Sequence, residues 1–341
     1  MVVLAVVAGS WLWMDYRQYL SSPLPLPDEA PLVFEVEPGS SLKRIVNDLA
    51  EQGVIEKPRY ILANARLTGN GTRIHVGEYR LETGMQVNDF INMLYQGKVI
   101  QYSLTLIEGW NFKQMMEAIQ TTPQLEQKTL GLSDKVIMQA IGHEDKHPEG
   151  RFMADTYRFT RGMSDVDILT RAYNAMSKYL AEQWPKRADD LPYDTPYEAL
   201  IMASIVEKET GVPDERDTIA GVFVNRLEKG MRLQTDPTVI YGMGDDYDGN
   251  IQRHDLRTDT PYNTYTRGGL PPTPIAMPGR EAIHAALHPE DTEYLYFVSR
   301  GDGSHYFSKN LEEHNQAVIK YQLKGRKRPF SSYNNDKEEK Q

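Results

Sequence analysis

Apolar residues along this chain recur in a strand-like and a helix-like spacing, and the changes between the two mark its elements. Val36-Glu37-Pro38-Gly39 precedes Leu42, Ile45, Val46 and Leu49; Leu81-Glu82-Thr83-Gly84 precedes Val87, Phe90, Ile91 and Leu94; Leu106-Ile107-Glu108-Gly109 precedes Phe112, Met115, Met116 and Ile119. Each time an extended run ends at a glycine and apolar residues then fall at i, i+3, i+4 and i+7. That is strand, tight turn and amphipathic helix. The glycines stand at 39, 84 and 109, unequal intervals that exclude a regular solenoid. Two readings fit: a small carbohydrate-binding module of the LysM type built from at least the first copies, or a common unit met three times in a compact α+β region.

Helical spacing continues over 165–184 through Ile168, Leu169, Ala172, Tyr173 and Met176, and over 198–210, which Gly211 and Pro213 close. Residues 121–150 read as polar and helix-rich, 152–160 as the start of a more structured region, and 185–196, with its Pro and Asp, as a loop. From Tyr197 to about Tyr321 short apolar runs alternate with Gly, Pro, Tyr and Thr turns, as in a mixed domain with functional loops. Residues 324–341 are charged and polar and read as solvated disorder. The expected fold class is α+β.

The first residues depart from this pattern. Residues 2–14 are uncharged and mostly apolar, closed by Asp15, Tyr16 and Arg17. A spanning helix needs roughly twenty such residues, and a signal peptide needs a basic stretch before its core. The segment reads as the remainder of a membrane anchor whose first residues lie outside this sequence, with a signal-peptide remnant or a buried helix as alternatives. No Lys or Arg precedes it, so the positive-inside rule gives no orientation. Residues 21–31, SSPLPLPDEAP, read as an extended polyproline tether.

Composition narrows the chemistry. The 341 residues are 40% hydrophobic and 25% charged, enough for two or three domains and too apolar for a wholly disordered chain. There is no Cys, which excludes disulfides, thiolate zinc sites, iron–sulfur ligation and cysteine nucleophiles. Lys and Arg total 38 against 48 Asp and Glu, a formal charge of −10, so a broad nucleic-acid footprint is not expected. YGMGDD is not a phosphate loop. His284 and His288, with Glu281, lack an HExxH pattern and run into Pro289, so they read as a helix end rather than a zinc site. His305, His314 and Asn315 read as polar packing, with lining of the cleft as the alternative. Neither a cofactor nor a metal is expected.

The helix over 198–210 carries the best catalytic candidate. On a wheel started at Leu200, Ile201, Ile205, Met202 and Val206 centre near roughly 170°, Glu209 falls at roughly 180°, and Glu207 at roughly 340° beside Ser204 and Lys208. A carboxyl group on an apolar face should stay protonated near neutrality and serve as a general acid. Glu209 fits that role. The alternative is that the helix simply ends there, with Glu209 solvated or bonded to a turn. Glu207 reads as a surface residue or as support behind the site.

Two loops hold groups suited to a saccharide groove. In RLQTDPTVIY, Gln234 and Asp236 offer an amide and a carboxylate, while Asp236-Pro237 equally reads as a helix N-cap followed by proline. In PYNTYTRGGLPPTP, Tyr262 and Tyr265 flank Asn263 and Thr264. Aromatic faces with amide and hydroxyl donors suit a sugar, and the same residues also serve plain turns.

Several long motifs then carry a resemblance. EGRFMADTYRF from Glu149, ASIVEKET from Ala203, VFVNRLEKGMRLQTDPTVIYG from Val222, PYNTYTRGGLPPTPIAMPG from Pro261 and YLYFVSRGDGSHYFSKNLEEHN from Tyr294 closely resemble the YceG-like family, over roughly residues 30 to 321. Met153 and Ala154 stand where that family has phenylalanine and proline. The resemblance implies a single-pass protein of the bacterial inner (cytoplasmic) membrane, with a LysM-like region and a periplasmic catalytic domain. It implies lytic, non-hydrolytic cleavage of nascent glycan strands between N-acetylmuramic acid and N-acetylglucosamine, leaving 1,6-anhydro ends that terminate elongation.

The family's catalytic glutamate is the second Glu of EKE, which maps onto Glu209, the residue also singled out by the wheel. Gln234, Asp236, Asn263 and Tyr265 are the candidates for substrate contact, with Glu207 behind them. The expected partners are peptidoglycan glycan strands and, from the resemblance, peptidoglycan synthases; nucleic acid is not one. The expected organisation is an anchor over 1–20, a tether over 21–31, a LysM-like subdomain over 32–104, a catalytic domain over 105–323 and a polar tail over 324–341. Competing readings are a non-catalytic glycan-binding scaffold and a hydrolytic muramidase with Asp236 as its second carboxylate.

Overall fold

The apolar positions at helical spacing are the ones the fold buries. The computed structural model describes residues 2–26, 31–69 and 74–323, and the chain forms two units. The first holds the chain up to Leu104 with Gln120–Lys128 and Tyr157–Asp165; the second holds Thr105–Ile119, Thr129–Thr156 and the chain from Val166. The class is α+β, and among the described residues the strands form three two-stranded sheets.

The first unit opens with α1 (Val2–Leu20), followed by β1 (Leu32–Val36), α2 (Leu42–Glu51), α3 (Pro58–Thr68), β2 (Gly77–Leu81), α4 (Val87–Gln96) and β3 (Tyr102–Thr105). β1 and β2 are antiparallel with Phe34 opposite Tyr79, and these rings stack with centres 5.4 Å apart. Ser41 caps α2 by accepting the Arg44 N–H, and the helix buries Leu42, Ile45, Val46 and Leu49. α4 buries Val87, Phe90, Ile91, Met93 and Leu94. Each such side chain contributes roughly 1.5–3 kcal/mol of burial. The turns before these helices use Gly39 at φ 80° and Gly84 at φ 84°, a region that a side chain disfavours.

One N-terminal expectation changes. Residues 21–26 are not a free tether. Leu24 is buried, its N–H donates to Met85 O at 2.8 Å and Val87 N–H donates to Ser22 O at 3.0 Å, while Pro23 bridges to Gln86. The prolines keep the backbone extended, and that extended backbone is paired. Residues 27–30 of the expected tether and the expected tail over 324–341 lie outside the described residues. In α1, Asp15 pairs with Lys57 Nζ at 2.7 Å and accepts from the Tyr60 hydroxyl at 2.6 Å, whereas Val3, Leu4, Val6, Val7 and Trp11 are exposed. None of the described helices is long and apolar enough to cross a membrane.

The remaining elements are α5 (Phe112–Gln120), α6 (Asp134–Ala140), β4 (Thr156–Phe159), α7 (Asp165–Gln183), α8 (Pro196–Glu209), α9 (Arg216–Glu228), α10 (Asp236–Met243), α11 (Arg280–Leu287), β5 (Tyr296–Ser299), β6 (His305–Ser308) and α12 (Leu311–Tyr321). β3 pairs with β4 and β5 with β6. Residues 121–150 prove to be mostly turns, with α6 as the helix described there.

The second unit is built around α8. Thr195 caps it through a reciprocal box with Glu198, with Pro196 in the first turn, so it starts earlier than the apolar spacing alone suggests. From Ala199 to Val206 every residue is buried, which corrects the expectation of one polar face. Ser204 is tolerated there because its hydroxyl donates to Ile201 O at 2.7 Å and accepts the Ile275 N–H at 3.0 Å. α11 packs along α8 with Ala282, Ala285 and Ala286 buried, small residues that let the backbones approach.

Candidate active site

α8 ends at Glu209, and the chain leaves through Thr210 in extended conformation (φ −138°, ψ 136°). Glu209 is thereby held at a helix C-terminus, where the aligned peptide dipoles disfavour a carboxylate. As a residue it is partly accessible, yet its carboxyl group is desolvated, and that burial, reinforced by Asp236 and opposed by Thr235 and His305, pushes its pKa up to about 7. Glu209 Oε1 accepts a hydrogen bond from Thr235 Oγ1 at 2.6 Å.

Thr235 belongs to a buried threonine cluster. Its N–H donates to Thr264 Oγ1 at 3.1 Å, and Thr238 donates its hydroxyl to Thr235 O at 2.8 Å. Thr235, and not Asp236, is the N-cap of α10, although its side chain makes no cap hydrogen bond. Asp236 is the first helical residue, where a negative charge suits the helix dipole. Its Oδ1 accepts from the Tyr265 hydroxyl at 2.5 Å, and burial together with Asp236 raises the Tyr265 pKa, so the phenol remains a neutral donor.

Two of the expected substrate-binding residues are already engaged. Gln234 takes a positive φ of 53°, a left-handed conformation that costs a side chain roughly 1–2 kcal/mol, and its Oε1 accepts from Arg226 Nη2 at 2.5 Å. Asn263 is buried. Its amide nitrogen donates to Asp255 O at 3.0 Å and Thr258 O at 2.7 Å, and its oxygen accepts the Tyr265 N–H at 2.8 Å. With these hydrogen bonds made, Asn263 shapes the loop that presents Tyr265.

Glu207 is half-buried and engaged. Its carboxylate accepts the N–H of Gly279 at 3.0 Å, fixing the residue that caps α11, and burial with the nearby Glu108 charge raises its pKa. His305 pairs through Nδ1 with Glu215 Oε2 at 2.7 Å. His314 stacks on Tyr296, and burial beside Arg226 pushes its pKa down to about 4. Among the described residues no His, Asp and Glu side chains converge as metal ligands would.

Three residues of this unit escape sequence reasoning. Glu149 is buried, accepts the Phe112 N–H at 3.0 Å and the Tyr241 hydroxyl at 3.0 Å, and is pushed up to about 7 by desolvation. It caps α5 from a turn, where no periodicity marks it. Thr235 is missed because Asp236, one position on and followed by proline, reads as the N-cap in its place. Arg226 carried a signal: it shares a helical face with Ile219, Val222 and Phe223, all buried, and a charge on such a stripe is unusual.

The site therefore offers one desolvated, partly reachable carboxylic acid poised near neutrality, a hydroxyl donor fixed on it, and a carboxylate–phenol pair beside it. The sequence profile of the YceG-like family matches residues 34–320. A Bacillus subtilis (strain 168) protein named endolytic murein transglycosylase is 31% identical over 93% of this chain and 91% of its own length. A protein of that name from Streptococcus pneumoniae serotype 2 (strain D39) is 25% identical over 94% of this chain, which spans 64% of that longer relative. The 2.6 Å crystal structure of a yceG-like protein from Listeria monocytogenes aligns with a TM-score of 0.54 and 32% identity, covering 85% of this chain and 99% of the other. With a family match over most of its length and a full-length relative above 30% identity, the chain belongs to the YceG-like family.

Proposed function

We propose that this chain is an endolytic peptidoglycan lytic transglycosylase. It cuts the bond between N-acetylmuramic acid and N-acetylglucosamine within nascent glycan strands without water, and the 1,6-anhydro ends it leaves terminate elongation. The observation that carries the reading is the state of Glu209, a carboxylic acid pushed up to about 7 with the Thr235 hydroxyl on its Oε1. The two relatives named endolytic murein transglycosylase support it.

One acid suffices for this reaction. Protonated Glu209 donates to the glycosidic oxygen as the bond from that oxygen to the muramyl C1 breaks, and the N-acetylglucosamine side departs as an alcohol. The carboxylate so formed, favoured by Thr235, takes the proton of the muramyl 6-hydroxyl as that oxygen bonds C1. The anhydro ring closes and Glu209 is an acid again. The nucleophile is already part of the sugar, so it acts at high effective concentration with no second substrate to bind. A hydrolase needs a second carboxylate to activate water or attack C1. Asp236, already accepting the Tyr265 hydroxyl, is better arranged to balance the oxocarbenium charge, which favours the lyase over a muramidase.

In this reading Gln234, Asp236 and Tyr265 border the substrate and Glu207 braces the backbone behind Glu209. Residues 105–323 are the catalytic domain and 32–104 the LysM-like subdomain, a reading supported by the β1–α2–α3–β2 order with antiparallel strands. The exposed apolar residues of α1 support single-pass attachment at the cytoplasmic membrane with the catalytic domain periplasmic, where growing strands and their synthases would be met.

Incubation of uncrosslinked glycan strands with the protein, followed by mass spectrometry of the ends, tests the proposal. Anhydro-ended fragments are expected, and none from Glu209→Gln. Full activity in that variant would overturn the assignment, loss only in Glu207→Gln would move it two positions, and tight binding without cleavage would favour a scaffold.

A further inference from the structure

Arg226 is a buried cation whose observed partners are neutral. It projects from the apolar face of α9 and is 7% exposed. Its guanidinium carbon lies 5.3 Å from the centre of the Tyr296 ring, Nη2 donates to Gln234 Oε1 at 2.5 Å, and Nε has no hydrogen-bond partner. Desolvating a guanidinium in this way is unfavourable, and burial accordingly lowers its pKa. A methionine of similar length would fill the space without that cost, so packing does not account for the charge.

The geometry around Gln234 does. Gln234 holds φ at 53°, which a residue with a side chain adopts only when its surroundings fix it. Arg226 grips the side chain, and the backbone N–H donates to Thr264 O at 3.2 Å. The next residue is Thr235, whose N–H is fixed on Thr264 Oγ1 at 3.1 Å and whose hydroxyl lies 2.6 Å from Glu209 Oε1. We propose that Arg226 is a positioning residue for the Glu209 acid: by holding Gln234 in its left-handed conformation it aims the Thr235 hydroxyl at the carboxyl oxygen that must carry charge once the proton has been given up. The inference deepens the function proposed above and rests on Glu209 being the acid. Its substrate class is unchanged, and the new assignment is the three-residue relay from α9 to Glu209.

The other groups acting electrostatically on Glu209 are Asp236 at the start of α10, Tyr265 in the following loop, and His305 on β6, itself paired with Glu215. All are retained in the variants that test the relay. Loss of a donor to a carboxylate raises its pKa. The rate of glycan cleavage, followed against pH, should therefore keep its high-activity plateau to higher pH in Thr235→Val, by about one unit. Arg226→Met and Gln234→Met should move the falling limb in the same direction, with kcat lower by about 10-fold or more, and in Arg226→Met KM should change by less than about 3-fold. Methionine matches glutamine in length but cannot accept from Arg226 and has no preference for a positive φ, so Gln234→Met decides the matter if Arg226→Met does not fold. A limb that moves in Thr235→Val yet stays put in both other variants would overturn the relay while leaving Glu209 as the acid. Retained activity in Glu209→Gln would instead overturn the acid assignment.

Discussion

Thr235 gives its hydroxyl to Glu209 Oε1, 2.6 Å away, and not to the helix that it caps. A threonine at an N-cap ordinarily satisfies one of the helix's own free N–H groups, a contribution of about 1 kcal/mol. Here the hydroxyl, which in a cap would accept, instead donates to a carboxyl group held near neutrality. The contact links two short sequence motifs, EKE and QTDP, across 26 residues of chain.

Thr235→Ser keeps the hydroxyl and should retain most of the activity, whereas Thr235→Val, similar in shape, should lose roughly 10-fold or more in kcat. Steady-state rates on isolated glycan strands check this. Equal rates in the two variants would mean that the hydroxyl has no part in catalysis.

Asp236→Asn separates the two enzyme readings. The Asp236 charge raises the Glu209 pKa, so its removal should move the falling limb of the pH–rate profile below the position set by a pKa of about 7, with anhydro ends still produced. A muramidase relying on Asp236 as its second carboxylate would lose cleavage altogether in this variant.

Much of this was legible before the fold was known, and the parts that were not share a cause. Helix faces such as Leu42, Ile45, Val46 and Leu49 were readable because the apolar repeat is local. So was the position of Glu209, at the end of an apolar helix. The partners of Gln234 and Asn263 are not legible in the sequence because they are set by the fold: a guanidinium from α9 and two loop carbonyls. The wheel gave α8 a polar side because it could not register that Ser204 finds partners inside the core. Glu149 sits in a turn, where its burial depends on Phe112 and Tyr241 being brought to it.

Glu149 also makes stability depend on pH. Its pKa rises from 4.5 to about 7 on folding, so between those values the folded state keeps a proton that the unfolded chain releases. Stability should fall as pH rises through that window and level off above it, by up to about 3 kcal/mol from this group. Glu149→Gln, which mimics the neutral acid, should remove that share of the slope in urea unfolding at pH 5 and pH 7.5. An unchanged slope would show that Glu149 titrates normally. Glu209, raised in the same direction, should continue to contribute in the variant.

Gly221 tests the packing of α9. A Cβ there would lie 2.5 Å from the backbone oxygen of Glu290. Alanine favours a helix over glycine by about 1 kcal/mol, yet Gly221→Ala should destabilise by roughly 1–3 kcal/mol because a backbone oxygen cannot step aside as a side chain does. Thermal unfolding of the variant gives the answer; a higher Tm would contradict this packing.

The central claim is that Glu209 drives cleavage in which the muramyl 6-hydroxyl, and not water, closes on C1. Cleavage of uncrosslinked glycan strands in water enriched in oxygen-18, followed by mass spectrometry of the new ends, tests it most directly. The account predicts 1,6-anhydro ends without the heavy isotope; reducing ends carrying oxygen-18 would contradict it.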